Sequence, residues 1–369
     1  MATQQAVYPW FTDAWSELNV ENMPHALLIH GQPGIGKFDF ALHIAKAILC
    51  ESSDLTQPCC NCEACHWFDT GNHPDFLGLV PEFDAALLPH DAMAGSDGAE
   101  DKPKRGKKKA EEEGEKADKK ASAFIKVEQV REALEGINTA PHRGRKRVVL
   151  LSPVEALQAV SANTLLKTLE EPPESTLFLL VTDRLDRILP TIRSRCRLLA
   201  LSRPTKEVAL SWLAQQTQDA GLKASAAQIE QILGESGGAV MDARDRLLGL
   251  KDTDEADLLM SQELLKSLAD GPRIDWLKAA ELCFKAPMPL ILLTLERWTA
   301  DVLSQQQSGQ IRFYPGKSAE ISRCAQAARG NKLSDFWRSL LDARRHELHA
   351  LANRVQIESL LIRYQDIFK

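Results

Sequence analysis

His25-Ala26-Leu27-Leu28-Ile29-His30 runs directly into Gly31-Gln32-Pro33-Gly34-Ile35-Gly36-Lys37, followed by Phe38. The glycines and Lys37 match the phosphate-binding loop G-x-x-x-x-G-K-[ST] at every fixed position except the last. Such a loop works because its backbone N–H groups cradle phosphates, its lysine reaches the terminal phosphates, and its hydroxyl residue holds magnesium. Phe38 has no oxygen to offer a metal. The flanking sequence fits the same fold: Ala26 to His30 is an apolar run suited to a buried strand, and Phe40, Ala41, Ile44, Ala45, Ile48 and Leu49 recur at helical spacing. A plain tight turn would also join a strand to a helix, so the remainder of the chain has to decide between the two.

The chain has 369 residues and a formal charge of −6. That length suits two or three domains. The acidic balance argues against a protein that grips nucleic acid alone through a broad basic face. There is no apolar run of 18 residues or more and no N-terminal secretion signal, which predicts a cytoplasmic protein, no membrane span, and reduced thiols. Five of the eight cysteines fall between Cys50 and Cys65. Cys50, Cys59, Cys62 and Cys65 have the spacing C-x8-C-x2-C-x2-C. Four thiolates close a tetrahedral structural zinc site, which leaves no open position for a substrate. An iron–sulfur cluster is the rival, since C-x2-C-x2-C also begins a ferredoxin-type run, although no Cys-Pro follows here. Metal-free thiols are the remaining alternative, and His66 and His73 are spare ligands.

Strand and helix patterns alternate along the first half. Val127, Val130, Leu134 and Ile137 share a helix face. Arg147 to Leu151 reads as a second strand, and a helix follows from about Val154 to the stop at Pro172-Pro173. Leu177 to Val181 and Leu198 to Leu201 are a third and a fourth strand. This order predicts a mostly parallel α/β sheet flanked by helices. Residues 95 to 122 carry mixed charge and no large apolar side chain, so they are expected to form a disordered insertion. Beyond Pro204 the strand signals end. Three short helices are expected near 206–216, 225–234 and 239–250, with a longer helical region from 254 to 369. The expected domains are an α/β module over 1–203 with the cysteine insertion at 50–65, a three-helix lid over 204–252, and an all-helical region over 253–369.

A working phosphate-loop ATPase also needs an acidic pair after its second strand to shape the magnesium shell and orient water. Ser152-Pro153-Val154-Glu155 occupies that place, and Glu155 lies well into the turn. Two losses, at Phe38 and at Ser152-Pro153, both remove metal chemistry while leaving the scaffold. Pro190-Thr191-Ile192-Arg193-Ser194-Arg195-Cys196 adds an arginine cluster of the kind that stabilises phosphoryl-transfer charge, although exposed arginines also serve in ordinary ion pairs.

Several stretches taken together carry a resemblance: Tyr8-Pro9-Trp10, the glycine loop, the four cysteines, His73-Pro74-Asp75-Phe76, Asn163-Thr164-Leu165-Leu166-Lys167-Thr168-Leu169-Glu170-Glu171-Pro172-Pro173, Pro190 to Cys196, and Asn353 with Glu358-Ser359-Leu360-Leu361. With these the chain resembles the delta-prime family of bacterial DNA polymerase III clamp-loader subunits. The resemblance implies an AAA+ module with a helical lid and a C-terminal collar in a five-subunit ring. It implies that Arg195 is an arginine finger acting in trans, that Cys50, Cys59, Cys62 and Cys65 bind zinc, and that Thr182 is a sensor-like residue. Gly31, Gly34, Gly36 and Lys37 become a degenerate cradle with weak or absent ATP binding. Met241 falls where active relatives place a sensor arginine. The implied partners are gamma/tau and delta subunits, the sliding clamp, and primed DNA through the complex. The chain would then have no ATPase activity of its own within a nucleotidyltransferase holoenzyme. The competing readings are a self-sufficient AAA+ ATPase of gamma/tau type and a zinc-dependent nucleic-acid-binding module.

Overall fold

The computed structural model describes residues 7–20, 22–52, 57–89, 124–137, 141–143, 146–250, 255–345 and 353–369. The charged insertion expected at 95–122 lies outside the described residues. Two compact units emerge, Met1–Pro204 and Thr205–Lys369. The boundary coincides with the loss of strand signals at Pro204.

The first unit is built on five parallel strands: β1 (Ala26–Gly31), β2 (Phe76–Leu79), β3 (Arg147–Leu151), β4 (Thr176–Thr182) and β5 (Arg197–Leu201). Their spatial order is β2-β3-β4-β1-β5. Its helices are α1 (Thr12–Ser16), α2 (Lys37–Leu49), α3 (Glu63–Asp69), α4 (Val127–Gly136), α5 (Ala159–Glu170) and α6 (Pro190–Arg193). The central strands β3 and β4 are buried along their whole length, which is why they read as unbroken apolar runs. Alternation assigns each side chain to a face. Leu27 and Ile29 of β1 join Leu177, Leu179 and Val181 of β4 in a core with Phe40 and Ile44 of α2. Ala26, Leu28, Phe178 and Leu180 face the other way, toward Val130 and Leu134 of α4 and Leu165 and Leu169 of α5.

The sequence reading needs two corrections. It counted four strands and passed over β2, which is only four residues long and contains Gly78. The helix expected from Val154 opens instead as a 3-10 turn, Val154–Ala156, and α5 begins at Ala159. Between them the backbone of Leu157 is extended and bridges to Ile125, so these residues are committed to a strand-like contact.

The second unit is helical. It comprises α7 (Lys206–Asp219), α8 (Ala226–Glu235), α9 (Val240–Leu247), α10 (Glu255–Ala269), α11 (Trp276–Cys283), α12 (Met288–Ser308), α13 (Ser318–Ala327), α14 (Gly330–Arg345) and α15 (Asn353–Asp366). Thr205 and Ser225 cap α7 and α8 through their side-chain oxygens. The core of α10 to α15 centres on Trp298 and Tyr364, both fully buried. Trp298 Nε1 donates to Tyr364 Oη at 2.7 Å, and that hydroxyl donates to the Leu268 carbonyl at 2.8 Å, so neither polar group is stranded. Arg297 of α12 donates to the Glu235 carbonyl at the end of α8 and lies over the Phe313 ring. No helix among the described residues is long and apolar enough to cross a membrane.

Candidate functional site

The glycine loop occupies the turn from β1 into α2, as the sequence predicts. Gly34 and Gly36 have φ of 69° and 90°, the left-handed region that glycine enters without steric cost. Gly36 is the N-cap of α2, so the lysine of the motif, Lys37, is the first residue of that helix. The N-terminal segment straps this loop. Trp10 Nε1 donates to the Ile35 carbonyl at 3.0 Å, and Tyr8 donates to Asp39 Oδ2 at 2.9 Å. The Tyr8 and Trp10 rings stack 5.0 Å apart. Phe38 packs against the core beneath β1 and α2. Its position is therefore filled by a hydrophobic contact where active loops present a hydroxyl.

The parallel register pairs His30 with Thr182, so the chain leaves β1 and β4 side by side. Asp183, the residue after Thr182, reaches Lys37, with Nζ to Oδ1 at 2.5 Å, and Nζ also donates to the Gln32 carbonyl at 2.5 Å. The lysine side chain is 3% exposed and the aspartate 45%. Glu155 completes the group. Its Oε2 accepts from the Thr182 hydroxyl at 2.7 Å and its Oε1 from the Asp183 backbone N–H at 3.1 Å. Thr182 Oγ1 in turn accepts from the Arg184 N–H at 3.0 Å. Burial, then the charge of Lys37, holds His30 below its ordinary pKa. The sequence reading named Lys37, Thr182 and Glu155 but missed Asp183. The available signal was its place at the carboxyl end of a central strand, where open parallel sheets gather ligands.

Arg195 lies between α6 and the edge strand β5. Its guanidinium donates to the Thr191 carbonyl at 2.9 Å and pairs with Glu170 at the end of α5. It remains one-third exposed (33%). Arg195 and Lys37 thus belong to separate groups, each neutralised by a carboxylate of its own chain. Met241 is buried in α9.

The four cysteines converge. Sγ atoms of Cys50, Cys59, Cys62 and Cys65 all lie within 4.8 Å of one another, and Cys50 and Cys62 are 3.9 Å apart. A tetrahedral zinc with Zn–S of about 2.3 Å puts its sulfurs about 3.8 Å apart, so the donor set has the right size. Cys50 ends α2 and Cys62 caps α3, whereas Cys60, at φ 57°, stands apart from the set. Burial pushes the Cys50 and Cys65 thiols up, while the Asn61 N–H pulls Cys59 down to about 6. Four cysteines this close could hold a metal ion. His66 and His73 are outside the cluster. His73 Nδ1 instead accepts the Asp75 N–H at 3.1 Å. Asp75, 1% exposed, accepts from the His142 and Arg143 N–H groups at 2.8 and 3.1 Å. Arg143 stacks 4.4 Å over Trp67 and pairs with Glu63 at 2.6 Å, and Lys46 pairs with Asp69 at 2.7 Å. The cysteine loop is thereby tied to α2 and to the segment before β3.

A family model described as DNA polymerase III, delta subunit, matches residues 10–205. The delta-prime subunit of DNA polymerase III from Pseudomonas aeruginosa is 32% identical over 304 residues, covering 81% of this chain and 78% of that protein. The Escherichia coli delta-prime subunit is 31% identical over 224 residues, 59% of this chain and 56% of its own. The tau subunit from Escherichia coli is 32% identical over 179 residues, but only 22% of that longer protein is covered. With this extended similarity to delta-prime subunits, the chain belongs to the delta-prime family of DNA polymerase III subunits.

Proposed function

We propose that this chain is a non-hydrolysing ring component of a clamp loader, supplying Arg195 in trans to ATP bound by a neighbouring gamma/tau-type subunit. Its work would be to hold the ring with gamma/tau and delta subunits while the sliding clamp is loaded on primed DNA in the cytoplasm. The observation that carries this reading is the disarmed loop. Phe38, partly buried, packs on the apolar core where a metal ligand belongs, Glu155 is engaged by Thr182 and Asp183, and Lys37 by Asp183. A chain with no chemistry of its own at this loop still presents a partly exposed arginine beside an edge strand. An arginine finger contributes about 10³ to 10⁵ in rate where it has been measured. To reach a neighbour's phosphate, Arg195 exchanges Glu170 for the incoming anion. In this reading Thr182 is a sensor-like residue turned to structural use, zinc at Cys50, Cys59, Cys62 and Cys65 is structural, α7 to α9 form the lid, and α10 to α15 form the collar.

The test is a reconstituted loader. Arg195→Ala should lower DNA-stimulated ATP hydrolysis by at least about tenfold while the complex still assembles, and Arg195→Lys should restore little of it, because a lysine lacks the planar fork. Unchanged turnover in an assembled Arg195→Ala complex would remove the assignment. The self-sufficient motor reading predicts magnesium-dependent hydrolysis by the lone chain that Lys37→Ala abolishes.

A further inference from the structure

The geometry points to Asp183 as a built-in anion for the phosphate loop, a carboxylate of the chain itself that occupies Lys37 and shuts out a nucleoside triphosphate. A backbone cradle survives in Gly31 to Lys37, and such a cradle needs no side-chain hydroxyl to hold phosphate oxygens. Loss of the metal ligand at Phe38 therefore explains the absence of hydrolysis chemistry but leaves binding unexplained. The lysine decides it. A lysine ammonium has three donors. Two are already directed at Asp183 Oδ1 and the Gln32 carbonyl, both at 2.5 Å, and the side chain is almost wholly enclosed.

The carboxylate is also held in place. The Asp183 N–H donates to Glu155, whose other oxygen is fixed by the Thr182 hydroxyl, and Thr182 is fully buried at the end of β4. An intramolecular partner of this kind acts at an effective concentration of the order of millimolar or more. Asp183 works against a triphosphate twice, by taking its cation and by placing a negative charge beside the cradle. The cation next in sequence, Arg184, pairs with Asp186 at 3.1 Å.

The test is calorimetric titration of the full-length chain with inorganic triphosphate, without magnesium and at low salt. Wild type should bind negligibly. Asp183→Asn and Asp183→Ser should each bind at least about tenfold more tightly than wild type, and adding Lys37→Ala to either should erase the gain. Asp183 is nearly half exposed and its backbone hydrogen bond to Glu155 survives both substitutions, so the fold should persist, as thermal melting will report. The proposal is overturned if both variants bind no more tightly than wild type. It is equally overturned if wild type already matches them, or if the gain persists without Lys37. The readout is binding by the isolated chain, so its outcome is separate from whether Arg195 serves a neighbour.

Discussion

At Gly31 the missing side chain is a packing requirement. A Cβ added there would lie 2.5 Å from the Leu201 carbonyl oxygen and 3.2 Å from Ile35 Cδ1. The obstacle is the backbone of β5, which pairs with β1 and cannot rotate aside. Gly31→Ala should therefore destabilise by about 1–3 kcal/mol, as overpacking does elsewhere. Thermal unfolding checks this, with Gly136→Ala as the comparison. Nothing lies within 4 Å of a Cβ at Gly136, so the expected change is within about 0.5 kcal/mol. Equal effects at the two sites would contradict the steric account. The same residue-level view separates what was legible in the sequence from what was not. Gly31, Gly34, Gly36, Lys37 and the cysteines stood out because each motif is contiguous and chemically specific. Asp183 did not, because its partner Lys37 is far away in sequence and meets it only through the strand order β4-β1.

Among the elements, long apolar strands and periodic helices were readable because burial on both faces of a parallel sheet writes itself into composition. β2 was not readable, since its four residues include a glycine and its place at the sheet edge is set by pairing with β3. The first turn of α5 was misplaced for a similar reason: Leu157 is taken by a bridge to Ile125 that no local pattern announces. Asp301 is another tertiary feature of this kind. It is fully buried on α12, and its carboxylate accepts the backbone N–H groups of Arg312, Phe313 and Tyr314 at 2.8 to 3.1 Å. Hydrogen bonds to a charged acceptor are stronger than neutral ones, and removing the acceptor takes it from three backbone donors at once. Asp301→Ala should cost about 1.5–3 kcal/mol. Asp301→Asn, which keeps one acceptor oxygen, should cost less. Denaturant unfolding measures both, and a loss under about 1 kcal/mol for Asp301→Ala would show that water replaces the carboxylate.

Across the molecule, the phosphate loop, Arg195 and the cysteine cluster belong to the first unit, while the second has a separate core around Trp298 and Tyr364. The cysteine cluster provides a way to perturb one unit selectively. Bound zinc would cross-link the end of α2 to the start of α3, and in the chain-entropy account a cross-link closing a loop of about 15 residues stabilises by about 3 kcal/mol. Its loss should spread along the contacts that leave the loop, through Lys46–Asp69 to α2 and through Arg143 to Asp75 and β2. Stripping the metal should therefore lower the midpoint for the first unit by about 6–12 °C, taking 2–4 °C per kcal/mol for a unit of this size. Hydrogen exchange before and after chelation should show faster exchange at 57–80, 141–143 and 146–147 and no change at 288–345. Metal analysis must show zinc leaving with the chelator. Loss of zinc with unchanged exchange around Cys50 to Cys65 would mean that Arg143, Lys46 and Asp75 hold the loop unaided, and the metal would then have no structural role.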